Sequence, residues 1–111
     1  FHSLKLKQNF LVIFYRRVDL VAQLSQQTDH KEAIKLLRAK IEQISNVISD
    51  PAPVVEILEF NPYGPVLAVR PFCSNDNYWQ VYFDTNRTIR ESFTEAGFSS
   101  PEPHYVLEKK A

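Results

Sequence analysis

Glycine is nearly absent from this chain: Gly64 and Gly97 are the only two in 111 residues. That excludes phosphate-cradling loops and dinucleotide-binding turns, which need several glycines so that backbone amides can approach an anion. Cysteine is scarcer still. Cys73 stands alone, so no disulfide forms within the chain, and its solitude fits a reducing compartment. Net charge is lacking too, with 13 basic against 13 acidic residues. No overall field favours nucleic acid, an anionic membrane surface or a polyanionic substrate. No apolar run approaches the roughly 20 residues of a membrane-spanning helix, the longest being Phe10 to Tyr15. That run lacks the cleavage pattern of a secretory signal and Phe1 is not an initiator, so the chain reads as a fragment of something longer.

What is present suits one compact domain, large enough to bury on the order of 65% of its unfolded surface. Leu4 to Lys7 alternate and run into the apolar hexamer before Arg16-Arg17, a strand pattern. Val18, Leu20, Ala22 and Leu24 share a period of two, as a half-buried strand requires. Asp29 with Glu32 three residues on has the form of a capping box. It opens an amphipathic helix whose stripe is Ile34, Leu37, Ile41, Ile44 and Ile48. Ser49 to Pro53 stops that helix, because proline removes a ladder donor and the residue before it avoids helical dihedrals. Val54 to Phe60 and Val66 to Phe72 read as a hairpin around the turn Asn61 to Pro65, with Pro71 marking the end or edge of the second strand.

A second helix is expected from a cap at Asn75 or Asp76 to Gly97, its apolar positions being Trp79, Tyr82, Phe83, Ile89, Phe93 and Ala96. A Pro-Glu-Pro spacer leads to a short strand at His104 to Leu107. Strand, helix, strand, strand, helix and a final short strand give an α+β, ferredoxin-like βαββα(β) sandwich. Both helices then lie on one face of an antiparallel sheet.

Chemistry is sparse. His2, His30 and His104 lie far apart and on no common helix face, so they do not compose a zinc site. Cys73 lacks a sequence-adjacent base and reads as structural. Glu56 and Glu59, three apart on a strand, should point to opposite faces and fail as an acid/base pair. No catalytic, cofactor or metal residues are assigned, and the chain reads as non-enzymatic. Tyr78, Trp79, Tyr82 and Phe83 sit on a helix, unlike the strand-borne aromatics of RNA-binding sheets. One helix burying all four needs apolar surface on more than one side, which points to a subunit interface.

Several stretches in register resemble one family: Asp50-Pro51-Ala52-Pro53-Val54-Val55, Val69-Arg70-Pro71-Phe72, Asp76 to Asp84, and Glu95-Ala96-Gly97-Phe98 followed by Pro-x-Pro. Together with Tyr15-Arg16-Arg17 leading into Val18-Asp19-Leu20, they look like the cytoplasmic C-terminal domain of the small-conductance mechanosensitive channel family, over roughly residues 15 to 107. The chain departs from the family pattern at Thr85, Ser100 and Glu102, in the turn Asn61 to Pro65, and at Leu11 to Phe14, where the family has a polar loop.

The resemblance implies a homoheptameric, tension-gated channel of the cell inner membrane, whose cytoplasmic parts form a hollow vestibule with side portals. Ions and small osmolytes would be the permeants, and the chain would meet the membrane only through helices it does not contain. It implies residues 1–15 as the end of a preceding middle β domain or as an altered N-terminal segment, 16–100 as the ferredoxin-like domain, and 101–111 as a linker and strand. Tyr105, Val106 and Leu107 would then join an intersubunit β-barrel, a contact additional to the subunit interface read at Tyr78, Trp79, Tyr82 and Phe83. Portal neighbours would be Arg16, Arg17, Asn61 and Tyr63. Two other readings compete. One is a stand-alone regulatory module of this fold that binds a small molecule at a sheet edge or dimer interface. The other is a small hydrolase using Arg70 or Arg87 to hold an anion, which the missing glycine loop disfavours.

Overall fold

The computed structural model of the protein describes residues 3–8 and 11–103. Within them are two antiparallel three-stranded sheets and two helices. Strands β1 (Ser3–Gln8) and β2 (Leu11–Arg17) pair as a hairpin, Ser3 opposite Arg16 and Gln8 opposite Leu11. The second sheet contains β3 (Leu20–Gln23), β4 (Val54–Asn61) and β5 (Gly64–Arg70) in the order β3-β5-β4. A short strand, β6 (Phe72–Ser74), returns to the first sheet and pairs with the end of β2, Arg17 opposite Phe72.

The expected strand Val66 to Phe72 is therefore two strands in two sheets. Pro71 is the switch point: it has no N–H to place in either ladder, and its carbonyl accepts from the Val18 amide at 2.8 Å, stitching the two crossovers together. The period-two stripe is as expected. Val18, Leu20, Ala22 and Leu24 are all buried, and Val18 and Leu24 extend β3 through backbone bonds to Pro71 and Pro65. On the same face lie Leu67 and Val69 of β5 and Val55 of β4, all fully buried. Each such side chain contributes on the order of 1.5–3 kcal/mol by leaving water.

Helix α1 (His30–Ile41) covers that face with Ala33, Leu37 and Ile41. Asp29 caps it by accepting from the Lys31 amide at 3.0 Å, one residue short of the Glu32 position that a capping box uses. The helix stops at Ile41, well before Ser49. Three-residue turns at Ile44 and Val47, and a positive φ of 69° at Asn46, carry the chain away. The Ile48 amide then donates to Phe72 at 2.8 Å, so β6 captures the segment that the apolar spacing assigned to the helix.

Helix α2 (Tyr78–Glu95) follows a 3₁₀ turn at Asn75–Asn77. Neither Asn75 nor Asp76 caps it. Asn77 holds the cap position, but its side chain donates to Ser74 Oγ at 3.1 Å and makes no capping bond to the helix, while Asn75 Oδ1 accepts from Arg16 at 2.8 Å. Its buried stripe is Val81, Thr85, Ile89 and Ser92, with Tyr78, Tyr82 and Phe93 packed alongside. The helix ends as expected at Gly97, whose φ is 72°, and Phe98 folds back onto Phe93 with ring centroids 5.3 Å apart.

One register detail overturns an expectation. A bulge lies between Ile57 and Glu59, so Glu56 pairs with Ala68 and Glu59 with Val66. Because Ala68 and Val66 are two apart on β5, Glu56 and Glu59 share a face instead of pointing apart.

Candidate functional site: the aromatic start of helix α2 and the strand junction

Four rings occupy the first two turns of α2, and the helix cannot bury them all. Tyr78 and Tyr82 lean onto the core, but Trp79 and Phe83 are 60% and 62% exposed. They stand one turn apart and stack with centroids 5.9 Å apart and planes at 29°. Trp79 also meets Tyr78 edge-on at 5.1 Å and Tyr82 at 5.3 Å, so the patch is a continuous set of ring contacts held in place from below. Such rigid, amphipathic rings bind other surfaces with little loss of side-chain freedom.

Beneath this patch the two sheets meet in a group of arginines. The Arg16 guanidinium lies 3.9 Å from the Tyr78 ring centroid and donates to Asn75, which anchors the helix start to β2. Arg17 points the other way along the strand and grips Asp19 with two bonds, 2.6 and 3.3 Å. The same carboxylate lies 3.7 Å from Arg70 Nε on β5. Asp19 thus ties the last residue of β2 to the last residue of β5, and its bond and charge raise the Arg17 pKa further above its ordinary range. Cys73 sits opposite Arg16 in the β2–β6 pairing and is fully buried. Burial pushes its thiol pKa up, with Arg16 opposing, so the thiol is held neutral in a structural position.

At the other end of the sheet is the β4–β5 turn. Asn61 Oδ1 accepts from the amides of Tyr63 and Gly64 at 2.9 and 3.2 Å, and Asn61 Nδ2 donates to Gln23 at 2.7 Å. Leu58, Phe60 and Tyr63 are exposed around it. Between α2 and β3 runs a groove of about 360 Å³, bordered by Val21, Leu24, Asn86, Arg90, Phe93 and Phe98. Among the described residues no strand pairs with this edge of β3. Ser25 and Ser99 close the end of the groove with hydroxyls 2.7 Å apart.

The residues singled out from the sequence fall into separate groups. Tyr78, Trp79, Tyr82 and Phe83 form one cluster, divided between core and surface. Arg16 and Arg17 lie at the strand junction, whereas Asn61 and Tyr63 lie at the hairpin turn, so one copy does not bring the four together. Tyr105, Val106 and Leu107 fall outside the described residues. Sequence reasoning passed over Asp19 and Phe60. Asp19 occupies the off-face position of a period-two strand, where a charge reads as solvated, and Phe60 sits where alternation assigns a strand interior.

No family model matches the chain. An uncharacterized MscS family protein of Synechocystis sp. is 27% identical over 88 residues, covering 79% of this chain and 30% of the relative. Among solved structures, Helicobacter pylori MscS in its closed state matches with a TM-score of 0.77 at 14% identity, over 93% of this chain and 43% of that one. The chain is thus similar in sequence to an MscS family protein and shares its fold with an MscS channel. The mixed α/β architecture expected from the strand and helix order is that of its structural counterpart. The chain spans less than a third of the relative's length and less than half of the solved chain. Among its described residues no helix is long and apolar enough to cross a membrane.

Proposed function

We propose that this MscS-type domain is a wall element of the cytoplasmic vestibule of a tension-gated channel in the cell inner membrane. Copies of it, seven in the assembled channel, would enclose a chamber with side portals through which ions and small osmolytes pass. Its role is assembly and filtering, not catalysis: the permeant is selected by portal width and by the charges around it. Residues 1–15 belong on this reading to the preceding β domain, 16–100 to the wall, and 101–111 to a linker and barrel strand.

The observation that carries the reading is the uncovered Trp79–Phe83 stack on a fold shared with an MscS channel. A monomer gains nothing from two large rings displayed at 60% exposure on a helix already packed on its other side, whereas a subunit contact buries them. Light scattering on the complete protein across a concentration series tests it. Seven copies support the reading, and a strict dimer contradicts it.

A second reading, small-molecule binding at a sheet edge, is favoured by the groove between β3 and α2. It requires a ligand-dependent rise in melting temperature.

A further inference from the structure

Trp79 and Phe83 are matched by a second uncovered apolar group at the tip of the β4–β5 hairpin, where Leu58, Phe60 and Tyr63 are 48%, 71% and 41% exposed. An aromatic side chain carries about 150–250 Å², so each patch offers on the order of 200–300 Å² of uncovered apolar surface. That is the right size for the apolar centre of an interface of about 800 Å² per partner. The two patches cannot cover one another within a copy. Strand β5 runs from the hairpin at Gly64 to Arg70, and α2 starts beyond its far end, so they are separated by about 20 Å of strand.

A like-to-like contact through either patch leaves the other uncovered on both copies, whereas a head-to-tail contact covers both. The flanking charges agree with that pairing. Glu59, beside the hairpin patch, has no ion-pair partner among the described residues. Neither does Arg90, which lies seven residues from Phe83 on the same face of α2, about 10 Å along its axis.

We propose that the hairpin tip of one copy docks on Trp79 and Phe83 of the next, with Glu59 facing Arg90. This rests on the reading of α2 as a subunit interface and names the surface that receives it. A contact between two different patches is heterologous and propagates around a ring. It also sets Asn61 and Tyr63 of one copy beside Arg16 and Arg17 of its neighbour, joining the portal candidates that a single copy holds at opposite ends of its sheet.

Site-directed cross-linking in the complete protein tests the pairing. In a Cys73→Ala background, Phe60→Cys and Phe83→Cys chains with different tags are co-expressed and mildly oxidised, after their melting temperatures have been checked. Disulfide-linked dimers carrying both tags are expected, with none from either chain expressed alone. Dimers of Phe83→Cys with itself would overturn the pairing while leaving α2 as an interface. No cross-link at either position would overturn the pairing and the α2 interface together. Independently, Glu59→Arg should raise the concentration for half-assembly about tenfold, and adding Arg90→Glu should restore it to within about threefold. Equal losses in the single and double variants would count against the Glu59–Arg90 contact.

Discussion

Gly64 lies so close to Leu24 that a β-carbon on it would stand 2.6 Å from the Leu24 carbonyl oxygen. Its φ of +140° is a backbone conformation that other residues rarely adopt. The contact clamps the start of β5 against the end of β3, where the Leu24 amide also donates to Pro65 at 2.8 Å. Gly64→Ala should therefore lose about 2–4 kcal/mol, from strain and the displacement of β3 together. Gly97, with φ of +72° and open space around it, is the control, and its Ala variant should lose only about 1 kcal/mol. Thermal melts of the two variants decide the matter, and equal losses would contradict the clamp.

Thr85 is fully buried on the core face of α2, and its Oγ1 has no hydrogen-bond partner among the described residues. A buried hydroxyl without a partner costs free energy that an apolar group of the same shape avoids. Thr85→Val should stabilise the fold by about 1 kcal/mol in urea unfolding, with an unchanged m-value. A loss of stability would mean that the hydroxyl has a partner after all.

The buried Cys73 thiol makes stability depend on alkaline pH. Its folded pKa is raised by burial above the unfolded value. Its contribution is therefore fully present below the ordinary thiol range of about 8.5 and is lost as pH climbs through the folded value. The stability difference between the protein and Cys73→Ala should stay constant from pH 6 to about 8, then narrow toward pH 10. A constant difference over the whole range would show that the thiol titrates normally.

Asp19 holds two arginines from different sheets, yet it is half exposed. Asp19→Asn should cost no more than about 1 kcal/mol, and the cost should shrink at high salt. Urea unfolding at low and high ionic strength measures it. A loss of several kcal/mol would instead place the carboxylate at the centre of the junction between sheets.

The elements most legible in the sequence are those whose pattern coincides with one burying face. The Val18 to Leu24 alternation and the Gly97 stop are of this kind. Legibility failed where a tertiary contact competes with a local signal. Phe72 takes the Ile48 amide and shortens α1, Arg16 occupies the side chain of Asn75 and removes a helix cap, and the bulge beside Leu58 reverses the facing of Glu59. The aromatic run was visible as a run, but composition does not say which rings face out. That follows from the position of the core stripe at Val81, Thr85 and Ile89.

Replacing Trp79 and Phe83 together by serine, and measuring both the melting temperature and the mass of the assembled complete protein, tests the central claim most directly. The account predicts a melting temperature of the isolated domain within about 4 °C of the unmodified chain, since two surface substitutions together stay within about 1 kcal/mol, and an assembly that falls apart into smaller species. A large drop in melting temperature with the assembly mass unchanged would contradict it, because the rings would then serve the interior of a single copy.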